Sequence, residues 1–175
     1  YLAFKISPNG SDRQEIKFKD ITNKKYLDDV LTDIKFSDVA WNNDKGIFYK
    51  KNSNKEFFEK DSTYQLYYHK IGDVQAKDKL VFDTSNIRSN FSFFTKQDKL
   101  YIIEVSEDET TKNYYYSEMN TESFQFKNFI KDDKTNLELL NIINDKFYFS
   151  DEKYPWGNIS YFDINNRTES TVLIP

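Results

Sequence analysis

His69, the single histidine of the chain, closes the run Leu66-Tyr67-Tyr68-His69 and is the first residue to weigh for chemistry. A serine hydrolase needs an imidazole to take up the serine proton and return it, with a carboxylate holding the ring. Serines and aspartates are plentiful, so His69 completes that set on composition alone. Its place in a strand-like run argues instead for a ring packed near a sheet rim. The sequence also has no G-x-S-x-G elbow to expose a nucleophile on a strained strand-to-helix turn. No catalytic residue is therefore assigned within the chain.

Other chemistry-bearing patterns are thinner. Asn42-Asn43-Asp44-Lys45-Gly46 has the flavour of a calcium loop, but the later bidentate acid is missing at the required spacing, and the stretch reads as an Asx-rich hairpin turn. Glu107, Asp108 and Glu109 are adjacent acids, which point to different sides of a loop and leave no second carboxylate at the separation that glycoside chemistry requires. With 4 glycines in the chain, no phosphate-cradling loop is formed. Cysteine is absent, which excludes disulfides, thiol catalysis and thiolate metal sites and suits a reducing compartment. No metal and no cofactor are expected.

Charge sets the partner classes. The formal net charge is −4, and lysines are interspersed with acids, so no basic stripe exists to neutralise phosphates and nucleic acid is not an expected partner. No apolar run approaches the roughly 18 residues of a membrane span, and no basic segment precedes an apolar one as in a leader. No membrane partner is expected. Four N-x-[ST] triplets, at Asn9, Asn90, Asn158 and Asn166, are of the kind an Asn-rich chain produces by chance.

The elements that would position any site are strands. Ile34 to Lys50 joins two apolar runs through a polar turn, the signature of a hairpin. The run Gly46-Ile47-Phe48-Tyr49 returns as Lys99-Leu100-Tyr101-Ile102 and as Lys146-Phe147-Tyr148-Phe149. A second series follows it: Glu15-Ile16-Lys17-Phe18, Gln65-Leu66-Tyr67-Tyr68, Asn113-Tyr114-Tyr115-Tyr116 and Asn158-Ile159-Ser160-Tyr161. Both step by about 50 residues, the length of a four-stranded propeller blade. With 16 Phe and 13 Tyr, rings are available to fill the space between stacked sheets; a shared rise in Lys, Asn, Phe, Tyr and Ile through codon bias accounts for part of that number.

The expected fold is thus all-β: a single partial β-propeller domain over 1–175, about three and a half four-stranded antiparallel blades. Its parts are an incomplete blade at 1–31, blades at 34–83 and 87–131, and a short or incomplete blade at 137–175. In the first full blade, strands are expected near Phe36 to Trp41, Gly46 to Lys50, Tyr64 to Ile71 and Lys79 to Asp83. Surface loops are expected at Lys51 to Ser62, Val105 to Lys112 and around Tyr154-Pro155-Trp156-Gly157. Tyr1 to Ile6 matches the second strand of a blade, so the N-terminus is expected to be cut. A partial propeller exposes two blade flanks, and self-association through them is expected.

A particular order of motifs narrows the reading further. Ser7-Pro8-Asn9-Gly10-Ser11-Asp12, Ile16-Lys17-Phe18, Asp29-Val30-Leu31, Lys35-Phe36-Ser37, Ala40-Trp41, Gly46-Ile47-Phe48-Tyr49 and Leu66-Tyr67-Tyr68-His69 together resemble the propeller domain of the prolyl oligopeptidase family. Asn158-Ile159-Ser160-Tyr161 and the closing Val172-Leu173-Ile174-Pro175 are similar to a later blade of the same domain. The resemblance implies a seven-bladed propeller joined to an α/β-hydrolase domain with a Ser-Asp-His triad, cleaving short peptides after proline. It implies a non-catalytic role for this part of the protein, which gates access to the active site.

Two positions carry over through the resemblance. Phe36 matches an aromatic that projects from the propeller and lines the substrate pocket, and Asp12 matches an acid on the face towards the hydrolase domain, where it pairs with a cation. The loop matched by Ser106-Glu107-Asp108-Glu109 departs from the family's Arg-Glu-Gly-Cys or Ser-Glu-Gly-Thr, so no binding role is transferred to it. The implied partners are the hydrolase domain of the same protein and short proline-containing peptides. The expected compartment is the cytoplasm, as the absence of cysteine suits, with the periplasm left open because the N-terminus is expected to be cut. The rival reading is a stand-alone binding module for a protein or a carbohydrate.

Overall fold

Ile16 and Phe18 alternate with Glu15, Lys17 and Lys19, which gives a short segment one apolar face that only a strand can bury. The computed structural model describes residues 1–52, 63–84, 89–119, 123–135, 137–151 and 156–175. The first sheet comprises β1 (Leu2–Ile6), β2 (Gln14–Asp20) and β3 (Lys25–Ile34), in the order β1-β2-β3. The second comprises β4 (Val39–Asn42), β5 (Gly46–Asn52), β6 (Tyr64–Lys70) and β7 (Lys79–Asp83), again in chain order. β8 (Ser89–Lys96), β9 (Lys99–Ser106), β10 (Lys112–Glu118) and β11 (Lys127–Asp133) form the third. β12 (Glu138–Ile143), β13 (Lys146–Asp151), β14 (Asn158–Asp163) and β15 (Asn166–Ile174) form the fourth. The strand pairings recorded are antiparallel, so the described residues form an all-β chain of consecutive meanders.

The chain divides into two compact units, Tyr1–Thr95 and Lys96–Pro175. In the first, Ile16, Phe18, Leu31, Ile34, Ile47 and Tyr49 form a core that draws in Trp41, Val39 and Ala3. β5 is buried along Gly46 to Lys50 rather than on alternate residues, which is the burial of a strand covered on both faces. That burial takes in Lys50, whose ammonium bonds Asn90 Oδ1 (3.1 Å) and the Phe91 carbonyl (3.2 Å) and lies 4.4 Å from the centre of the Tyr64 ring. Burial lowers its pKa, while the charge of Asp38 opposes that shift.

In the second unit the rings do most of the filling. Phe147 is fully buried, stacked on Phe162 at 5.0 Å and met edge-on by Tyr114 at 5.4 Å. Such offset and T-shaped contacts suit the ring quadrupoles. Tyr114 spends its hydroxyl on the Leu137 carbonyl, 3.1 Å away, so a buried polar tip is satisfied.

Two local expectations are corrected. The strand expected from Phe36 begins only at Val39, because Phe36 has φ +51° and breaks the extended run. The acidic loop is shorter than Val105 to Lys112, since Val105 and Ser106 stay in β9 and Lys112 opens β10. The loop expected over Lys51 to Ser62 lies, from residue 53 onward, outside the described residues, as do Tyr154 and Pro155.

Candidate functional site

Antiparallel order decides which loops meet. β1 and β3 run one way and β2 the other, so the β1–β2 turn and the start of the β3–β4 connection fall at one end of the first sheet. Ile6 pairs with Glu15 and Gln14 with Ile34 at that end. There the two loops enclose an open concavity of about 540 Å3, lined among others by Lys5, Ser7, Asp12, Gln14, Phe36, Ser37 and Asp38. Phe36 and Asp12, 24 positions apart in sequence by the difference of their numbers, thus line the same space.

Each loop is shaped by its backbone. Ser7 to Ser11 turns through Asn9 (φ +54°) and Gly10 (φ +71°), and the Ser11 amide donates to the Pro8 carbonyl at 3.0 Å. Left-handed φ of this kind is what Asn and Gly tolerate. Phe36 has the same handedness without that tolerance, and the residue is 67% exposed. A bulky residue so held stores about 1–3 kcal/mol of strain with no burial to offset it. The Lys35 ammonium stands 5.2 Å from the centre of the Phe36 ring and 4.0 Å from an Asp12 carboxylate oxygen. Lys35 thus meets both candidate groups, and no sequence pattern marks it as a site residue.

Ser37, next in the chain, is buried. Its Oγ accepts the Lys50 amide at 2.6 Å and donates to the Asp38 carbonyl at 2.6 Å, while its own carbonyl accepts the Lys5 ammonium at 2.8 Å. No periodicity singles out a serine beside a marked phenylalanine, so sequence reasoning had no handle on it.

His69 does not reach this concavity as a general base would. Its ring is fully buried and stacks on Phe18 at 5.5 Å. Nδ1 lies 2.7 Å from Asp78 Oδ1 and Nε2 lies 3.1 Å from Asp29 Oδ1. Two carboxylates facing both nitrogens call for a ring that donates twice, the imidazolium form. Burial works against that charge, but the hydrogen bonds and charges of Asp78 and Asp29 outweigh it and raise the pKa above the ordinary histidine value. The expected rim position gives way to an interior one because Asp29 on β3 and Asp78 beyond β6 supply the counter-charges.

The same carboxylates are held in turn. Asp29 Oδ1 accepts the Gly72 amide at 2.7 Å, and Asp78 Oδ2 accepts the Tyr49 hydroxyl at 2.7 Å. Gln75 donates to Tyr49 Oη at 3.3 Å and to the Thr32 carbonyl at 3.1 Å. Burial pushes the Tyr49 phenol well above its usual range. Tyr49→Phe should lower stability by about 1.5–3 kcal/mol, as expected for a lost hydrogen bond to a charged group. Urea denaturation measures it, and an unchanged midpoint would mean that Asp78 needs no such donor.

The remaining candidates are turn builders. The Asn42 backbone carbonyl accepts the Lys45 amide at 3.0 Å and Asn43 has φ +48°, forming the β4–β5 hairpin turn. Asp108 Oδ1 accepts Ser106 Oγ at 2.7 Å and Thr110 Oγ1 at 2.8 Å, bonds that lower its pKa. Its carboxylate faces its own loop.

Comparison with known proteins agrees with this architecture. The family model for the prolyl oligopeptidase N-terminal β-propeller domain matches residues 1–175. The prolyl endopeptidase of Elizabethkingia meningoseptica is 28% identical over 176 residues, covering 97% of this chain and 25% of that enzyme. The prolyl endopeptidase of Elizabethkingia miricola is 27% identical over 157 residues, covering 87% of this chain and 22% of the enzyme. The chain therefore spans about a quarter of the length of these relatives.

Solved structures give the fold. Prolyl oligopeptidase B from Galerina marginata, bound to a 25mer macrocyclization substrate, superposes with a TM-score of 0.81 at 17% identity, over 99% of this chain and 27% of that one. One of two prolyl endopeptidases studied for the role of inter-domain dynamics in catalysis and specificity gives 0.78 at 20% identity, over 99% and 26%. These matches do not favour the stand-alone binding module. A partial β-propeller of four antiparallel sheets, matched along its whole length, the chain belongs to the prolyl oligopeptidase family as part of its N-terminal β-propeller domain.

Proposed function

We propose that the chain is the non-catalytic propeller portion of a serine endopeptidase that cleaves short peptides after proline. Its work is to cover the active site of an α/β-hydrolase domain, exclude water and admit only short chains, which is gating rather than bond chemistry. Phe36 offers its ring to the substrate, and Asp12 pairs with a cation across the domain boundary. The observation that carries this reading is the shared concavity: the exposed ring of Phe36 and the carboxylate of Asp12 line one space at one end of the first sheet. Half-exposed Leu2 and Ile6 on β1, and Val172, Leu173 and Ile174 on β15, are apolar surfaces that self-association would cover.

The test uses a fluorogenic proline-containing peptide. In the full-length peptidase, Phe36→Ala should raise KM about tenfold or more, the size of effect of removing an aromatic anchor from a pocket. The purified 175-residue chain should show no cleavage. Cleavage by that chain, sensitive to a serine reagent, would overturn the proposal.

A further inference from the structure

We infer that Ser37, with Lys5, is a positioning residue that presents the Phe36 ring to the peptide-binding concavity; the inference rests on the pocket role of Phe36 proposed above. The starting observation is a mismatch. Phe36 is a large apolar residue, 67% exposed, in a left-handed backbone, so neither conformational preference nor burial accounts for its state. The next residue, by contrast, is 2% exposed and held through both its hydroxyl and its carbonyl.

The ladder explains how. β4 and β5 pair from Asn42↔Gly46 to Val39↔Tyr49, and there the pairing stops. The Lys50 amide, one step beyond, takes Ser37 Oγ as its acceptor at 2.6 Å. A side-chain oxygen thus continues the ladder where backbone cannot, since the chain is turning. That hydroxyl donates its own hydrogen bond to the Asp38 carbonyl at 2.6 Å, which fixes its rotamer. From the other side, β1 reaches over with the Lys5 ammonium, 2.8 Å from the Ser37 carbonyl. Residue 37 is fixed by β5, by β1 and by its own neighbour, and the direction of the residue before it follows.

Alanine at 37 removes the acceptor for a buried amide and frees the connection to relax towards extended backbone, carrying the ring away. Threonine keeps the hydroxyl. The experiment is a double-mutant cycle in the full-length peptidase with the same fluorogenic peptide, comparing Phe36→Ala, Ser37→Ala, Ser37→Thr and the Phe36→Ala/Ser37→Ala pair. Ser37→Ala should raise KM about fivefold with kcat little changed, Ser37→Thr should restore it, and Ser37→Ala should add nothing once Phe36 is alanine. Urea denaturation of each variant separates lost folding from lost positioning. If Ser37→Ala multiplies KM equally with and without the Phe36 ring, or lowers stability alone, positioning is overturned while Phe36 keeps its role. A silent Phe36→Ala removes the pocket reading and this inference with it.

Discussion

Replacing His69 by glutamine should lower the unfolding free energy of the chain by about 3–5 kcal/mol, the range for breaking a buried ion pair from one side. The ring has Asp29 and Asp78 on its two nitrogens, and both carboxylates are almost fully buried. Glutamine fills much of the volume but donates from one end only, so one carboxylate faces a carbonyl oxygen in the interior. Urea denaturation measures the change; a loss below about 1 kcal/mol would show that the charges are not coupled as the geometry requires.

The same site fixes a pH dependence. The folded pKa of His69 is raised above its ordinary value of 6.5 by Asp78 and Asp29, against the opposing effect of burial. In the folded state the ring therefore binds its proton more tightly than in the unfolded chain. Its contribution is complete below about pH 6.5 and is lost as pH rises through the folded pKa. Asp29, Asp78 and the Tyr49 phenol face this cluster. Because His69 is the one histidine of the sequence, the fall in stability above neutrality should flatten in the His69→Gln variant. Lys50, whose pKa burial lowers, is present in both proteins and cancels in the comparison. A fall of equal slope in both would assign it elsewhere.

Gly46→Ala should be as damaging through a different route. A methyl at that position would stand 2.1 Å from the His69 carbonyl oxygen, 2.8 Å from the Tyr68 hydroxyl and 2.9 Å from Tyr68 Cε2. The Tyr68 side chain can shift, but the His69 carbonyl belongs to β6, paired with β5 from Gly46↔Lys70 to Asn52↔Tyr64. Overpacking in a core costs about 1–3 kcal/mol when side chains can give way. Backbone overlap at this distance places Gly46→Ala above about 3 kcal/mol by the same reasoning. Gly10→Ala is the control, with open space around the position and φ +71°, where left-handed strain of about 1 kcal/mol is the whole expected effect. Equal midpoints for the two variants would mean that β5 and β6 can separate at their end.

Recurring runs were legible because strand faces leave a local trace. Ile16 with Phe18, Ile47 with Tyr49, and Phe147 with Phe149 mark themselves by type and spacing, and all are buried in the sheets. The hairpin turn at Asn42 to Gly46 was legible for the same reason, since turn chemistry is written in adjacent residues. Phe36 and Asp12 were marked by the order of motifs around them, not by their own pattern.

The aspartates of the His69 cluster left no such trace. Asp29 is 40 positions from His69 and Asp78 is 9, and neither spacing corresponds to a strand or helix period. Asp29 arrives through the packing of the first sheet on the second, and Asp78 through the way the β6–β7 connection folds back. Ser37 is similar, since its value lies in where the β4–β5 ladder ends and in a lysine from β1.

The amino-acid order by itself determined an all-β chain of repeated four-strand units with a family-like succession of motifs, because alternation and turn residues act over a few neighbours. Only the tertiary structure decided that the histidine is an interior cation and that Phe36 is held out in a left-handed turn. Both depend on charges and hydrogen bonds between segments far apart in sequence, whose distances are set when sheets stack and strands stop.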